Sequence, residues 1–90
     1  MNRFLYFSVC WLILLSGYLN AQTTTIPDTN FEQALIDLGI DSDGVINGEV
    51  LTADIQGITS LNVSEKSISN LTGIEDFEQL MALYCQNNDL

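Results

Sequence analysis

Hydrophobic and polar positions alternate with different periods in successive stretches of the chain. Phe4 to Leu15 is apolar except for Ser8, and the run is then broken by Ser16, Gly17 and Asn20. After a polar lead-in, Gln22–Thr25, apolar side chains recur at Phe31, Leu35 and Leu38, the i, i+4, i+7 spacing of one helix face. Asp28 or Thr29 can cap such a helix, Thr29 and Glu32 have capping-box spacing, and Gly39 is a natural stop. The pattern therefore predicts a short amphipathic helix over 29–38. Residues 40–49, IDSDGVINGE, read as a loop, and Val50-Leu51-Thr52 as the start of a short extended stretch.

From Ile55 onward the spacing becomes a repeat. ITSLNVSEKSI, residues 58–68, aligns with LMALYCQNNDL, residues 80–90, at an interval of 22 positions. Ile58 falls on Leu80, Leu61 on Leu83, Val63 on Cys85, Lys66 on Asn88 and Ile68 on Leu90. A period of about 20–29 residues with L-x-x-L-x-L-x-x-N-x-L spacing is the signature of a leucine-rich repeat. The second copy fits at every marked position, whereas the first carries Lys66 where asparagine belongs. Between the copies Leu71, Ile74 and Phe77 continue an apolar column at steps of three.

This spacing has a physical basis. Alternate strand residues point inward, so Leu61 and Val63, or Leu83 and Cys85, would enter the core, and successive coils would stack at the strand spacing of about 4.8 Å. Asn88 would turn inward and pair with backbone groups that the bend leaves free. A single helix through Ile74, Phe77, Met81 and Tyr84, capped by Asp76, would account for the second segment alone. The repeat accounts for both. The predicted core of the coils is thus Ile58, Leu61, Val63, Ile68, Leu80, Leu83, Cys85, Asn88 and Leu90.

The N-terminus changes how the rest is read. A basic start with Arg3, the apolar run and the small residue Ala21 match a secretory signal peptide over residues 1–21, cleaved near Ala21. A spanning anchor would need about 20 predominantly apolar residues, and no basic residue follows this run. Cys10 lacks the small preceding residue of a lipidation site. The expected mature chain, 22–90, holds all twelve acidic residues against Lys66 alone, a formal charge of −11. Such a surface repels nucleic acid and anionic membranes. With Cys85 its only cysteine, no internal disulfide can form, and with no histidine the commonest general base and zinc ligand is missing.

The 22-residue period and strand motif resemble bacterial secreted leucine-rich repeat proteins of the internalin-like type, and IPDTNFEQALIDLGID resembles the helical N-terminal cap of bacterial surface proteins of that class. The resemblance spans residues 26–90. It implies an α/β repeat fold: a leucine-rich repeat solenoid, a right-handed coil with a parallel sheet, preceded by a short helical cap. The cap, with its acidic turn, would occupy residues 22–54, Phe31, Leu35 and Leu38 covering the first coil, and the first two repeats would occupy 55–90. Because Leu90 ends on a pattern that only another copy buries, the chain is expected to be the N-terminal fragment of a longer protein.

The same resemblance implies a non-enzymatic protein, secreted or at the cell surface, that binds an unidentified protein or surface ligand in adhesion or recognition, with no cofactor and no membrane span in the mature chain. Partners of such proteins dock on the concave sheet, whose outward residues would be Ser60, Asn62, Ser64, Ala82, Tyr84 and Gln86. Tyr84 is the aromatic among them, a residue type enriched in binding hot spots.

The alternative class is a small secreted calcium-binding module complete as written. Asp41 and Asp43 are weak calcium candidates, since Asp41-x-Asp43-Gly44-x-Ile46 matches part of an EF-hand loop while Gly39 and Val50 stand where its two anchoring carboxylates belong. Asn47 and Glu49 are further oxygen donors nearby. No metal is otherwise expected, and no catalytic constellation is present in the sequence.

Overall fold

The computed structural model describes residues 22–90; the predicted signal segment, 1–21, lies outside the described residues. The architecture is a small α/β fold with two two-stranded sheets, one antiparallel and one parallel. Its elements in order are β1 (Thr23–Thr25), α1 (Thr29–Asp37), β2 (Glu49–Leu51), α2 (Thr52–Ile55), β3 (Ser60–Asn62), a 3-10 turn (Ile74–Asp76) and β4 (Ala82–Tyr84).

Most of the polar lead-in, Thr23–Thr25, is a strand. Three successive β-branched threonines favour extended backbone, and β1 pairs antiparallel with β2 in the register Thr23↔Leu51, Thr24↔Val50, Thr25↔Glu49. Thr24 points inward, where its hydroxyl donates to Asp76 Oδ2 and shares a hydrogen bond with the Thr52 hydroxyl, both at 2.8 Å. The extended stretch expected from Val50 is β2, but Thr52 already begins the one-turn helix α2.

Helix α1 begins at Thr29 because Asp28 caps it: Asp28 Oδ1 accepts from the amides of Asn30 at 2.9 Å and Phe31 at 3.0 Å. Phe31, Ala34 and Leu35 are buried. Leu38, expected on that face, is 49% exposed. It is the C-cap residue, and Gly39 at φ 75° then reverses the chain, so the helix stops before Leu38 can turn inward. Glu32 closes no capping box. Its buried carboxylate reaches across the cap instead, accepting from Asn47 N at 3.0 Å and Gly48 N at 2.9 Å.

Strands β3 and β4 run parallel, pairing Ser60↔Ala82, Leu61↔Leu83 and Asn62↔Tyr84, so each residue meets the one 22 positions later. The interval recurs in the backbone: Glu65 and Asn87 both take left-handed conformations, at φ 57° and 61°. Asn88 joins the two turns. Its Oδ1 accepts from Lys66 N at 2.9 Å and Ile68 N at 3.0 Å, and its Nδ2 donates to Val63 O at 2.8 Å and Cys85 O at 3.0 Å. With one parallel pair of three-residue strands, the described residues form a small α/β fold; the expected solenoid is not seen, because two strands make one ladder and no stack.

A single cluster of buried side chains runs through both parts of the molecule. Ile26, Phe31, Ala34, Leu35, Val50 and Ile55 from the cap meet Leu61, Val63, Ile68 and Phe77 from the first turn. The rings of Phe31 and Phe77 lie 6.3 Å apart, 23° from parallel. The second turn is less covered: Leu80 and Cys85 are half-buried, and Ile58 in the first turn is too. Leu83 and Leu90, expected in the core, are 37% and 63% exposed, because no described element packs over them.

Candidate functional site: strand face and acidic loop

The sheet of β3 and β4 brings Ser60 beside Ala82 and Asn62 beside Tyr84. Ser60, Asn62 and Tyr84 are exposed and Ala82 is half-buried, while Ser64 and Gln86 follow the strand ends, half-buried and exposed respectively. Four of the six expected face residues therefore sit in register on the sheet, and they are not equally available for binding. Asn62 Oδ1 is taken up by Ser64, accepting its amide at 3.1 Å and its hydroxyl at 2.7 Å. Asn70 holds Thr72 in the same way, at 2.9 and 2.6 Å. Tyr84, 49% exposed, is the large side chain of the face, and Met81, just before β4, is 87% exposed.

The second arrangement is the loop between α1 and β2, where the sequence places Asp41 and Asp43. Asp43 is exposed and held by its own loop: Oδ1 accepts from Val45 N at 2.9 Å and Oδ2 from the Asn47 side-chain amide at 3.0 Å. These donors hold its carboxyl below the usual range against a small desolvation. Asp41 is 5% exposed, and its Oδ2 is buried without a hydrogen-bond partner. Desolvation first, then the adjacent Asp43 and the charge of Glu32, push its carboxyl up to about 6. From the next helix, Asp54 reaches back to accept from Ser42 N at 3.0 Å. Among the described residues, no three acidic or cysteine side chains converge as a ready-made metal cage.

Three residues carry more of the architecture than the sequence suggested. Asp28 caps α1 with one oxygen and with the other accepts from Ser69 N at 2.9 Å, Ser69 Oγ at 3.1 Å and Asn70 N at 3.0 Å. Desolvation raises its pKa, but these donors outweigh it and hold the carboxyl below its ordinary value. Glu32 and Thr24 tie the loop and the first turn to the cap, as described above. The capping signal at Asp28 was legible; its second set of partners, about forty residues away, was not. A shallow open groove of about 320 Å³ lies between β1 and the 3-10 turn, lined by Thr23, Thr24, Thr25, Thr72, Gly73, Glu75 and Asp76. Its inner hydroxyl and carboxylate, Thr24 and Asp76, already satisfy each other.

Among the described residues no helix is long and apolar enough to cross a membrane. Cys85 is free and half-buried. Compared with family models, with curated proteins and with solved structures, the chain has no significant match.

Proposed function

We propose that this chain is the N-terminal cap and first two coils of a secreted or cell-surface leucine-rich repeat protein of the internalin-like type, non-enzymatic and acting in adhesion or partner recognition. The observation that carries the reading is the parallel pairing of β3 and β4 at an interval of 22, matching the sequence period residue for residue. Two independent details repeat at the same interval or bridge it: the left-handed Glu65 and Asn87, and the Asn88 amide bonded to both turns. Backbone conformation and side-chain bonding follow one repeat, which chance pairing of two short strands would not produce.

In this reading the cap covers one end of the stack and Leu83 and Leu90 await the next coil at the other. Partners dock on the face that carries Tyr84, beside Ser60, Asn62, Ala82 and, past the strand ends, Ser64 and Gln86. The deciding experiment is the intact mass of the natural secreted product, with sequencing past Leu90. A product that carries further 22-residue copies supports the proposal. One that ends at Leu90 sinks it, because two turns with an open face make too narrow a surface for such recognition.

A further inference from the structure

The loop between α1 and β2 contains a buried oxygen that the protein leaves unpaired. Asp41 Oδ2 accepts no hydrogen bond although its residue is 5% exposed, and buried polar atoms are almost always satisfied. Asp43, two residues on in the same loop, is the acid that acts most strongly on it. A proton on Asp41 can bridge the two at low pH, but neither group carries a donor once both are ionised, and the pair is then short of positive charge. Among the described residues none is seen to provide it: Lys66, the one base among them, is exposed and makes no ion pair with the loop. The surroundings add more negative charge, with Glu32 fully buried behind the loop and Asp54 fixed on Ser42 N.

We infer that Asp41 and Asp43 bind one calcium ion in the loop. The donors are hard carboxylate oxygens, which suit calcium and not a soft thiophilic metal. Asp43 is already oriented by Val45 N and the Asn47 amide, and Glu32 fixes the loop backbone at Asn47 and Gly48. Orienting bonds of this kind hold ligands in place before the ion arrives. Since only two carboxylates meet, main-chain carbonyls and water complete the shell, and the affinity falls in the weak range of extracellular modules, roughly 10⁻⁴ to 10⁻³ M. The inference is independent of the repeat reading. Either can fail while the other stands.

Isothermal titration of the full chain with calcium chloride, in salt sufficient to screen diffuse attraction, tests it. One saturable site is expected, weakened at least tenfold in Asp41→Asn and in Asp43→Asn and unchanged in Glu78→Gln, an exposed acid outside the loop. Asp43 is itself exposed, so its variant keeps the test valid should Asp41→Asn misfold. Three results would overturn the inference: no saturation by about 10 mM, ten times the weak end of that range; equal weakening by Glu78→Gln, which would mean diffuse association with the acidic surface; or undiminished binding in Asp43→Asn.

Discussion

Asp28 is the residue whose removal reads most directly on how cap and repeat hold together. Its two oxygens accept from five donors in two places: Asn30 and Phe31 at the start of α1, and Ser69 and Asn70 at the end of the first turn. Loss of an N-cap costs about 1 kcal/mol. A hydrogen bond to a charged group contributes about 1.5–3 kcal/mol, and the low end applies here because the carboxylate is only half-buried and water can replace part of what is lost. Asp28→Ala is therefore expected to destabilise by about 3 kcal/mol, a large share of the roughly 3–10 kcal/mol available to a domain of this size.

Urea unfolding followed by circular dichroism measures this, and a second variant separates the two roles. Asn caps helices about as well as Asp, but an amide has one oxygen and can serve the helix or the turn, not both. Asp28→Asn should thus lose about half as much, roughly 1–2 kcal/mol on the same scale, with the denaturant slope unchanged. If Asp28→Asn falls within about 0.5 kcal/mol of the native chain, the ordinary scatter of surface substitutions, then the bond between cap and turn contributes nothing and the reasoning is wrong.

Asn88→Ala strips partners from four main-chain groups, and at about 0.5–1.5 kcal/mol each, less what water restores, a loss of roughly 2–4 kcal/mol is expected in the same urea assay. Gly73→Ala combines a φ of 106° with a Cβ 2.7 Å from Thr25 O; a loss of about 2 kcal/mol or more is expected, and a neutral result would show that β1 and the 3-10 turn can part freely. The two shifted carboxyls act in opposite senses with pH. Asp28, depressed below 3.8, stabilises fully above that value, and its contribution disappears as pH falls through the lower folded pKa. Asp41 is raised from 3.8 to about 6, so its favourable contribution is complete below 3.8 and is lost as pH rises through 6. In chelator, Asp41→Asn should therefore gain about 1–2 kcal/mol at pH 7.5 and nothing near pH 3.5; a loss at pH 7.5 would contradict the unpaired state of its buried oxygen.

What the sequence made legible was whatever depends on spacing alone. The interval of 22 gave the β3–β4 register, and the i, i+4 pair Phe31 and Leu35 gave the buried side of α1. Errors came where local signals compete or partners are remote. Three threonines looked like a solvated lead-in because their polarity masks a β-branched preference that counts only when a partner strand, β2, is present. Leu38 shares the helical period but sits one residue past the last helical turn, where cap geometry overrides the period. Leu83 and Leu90 have core spacing without a neighbour to cover them. Glu32 fits a capping box one position out of step: with Asp28 as the cap it becomes the fourth helical residue, and its carboxylate is free to hold the loop.

The position of Glu32 links the cap, the loop and the repeat. It lies on α1 next to Phe31, whose ring stacks on Phe77 of the turn leading into β4, while its carboxylate fixes Asn47 and Gly48. The short helix therefore faces the repeat with its apolar side and the acidic loop with a buried charge. Ordering the loop restrains the helix, and the helix is the surface on which the first turn packs. At the other end nothing comparable supports β4, whose Leu83 is open and whose ties run back to the first turn through Asn88 and the strand ladder. Fewer buried side chains hold β4 than hold α1, so local opening is expected to begin at β4. A cation in the loop would act on the end that is already the better anchored and leave β4 as the less protected strand.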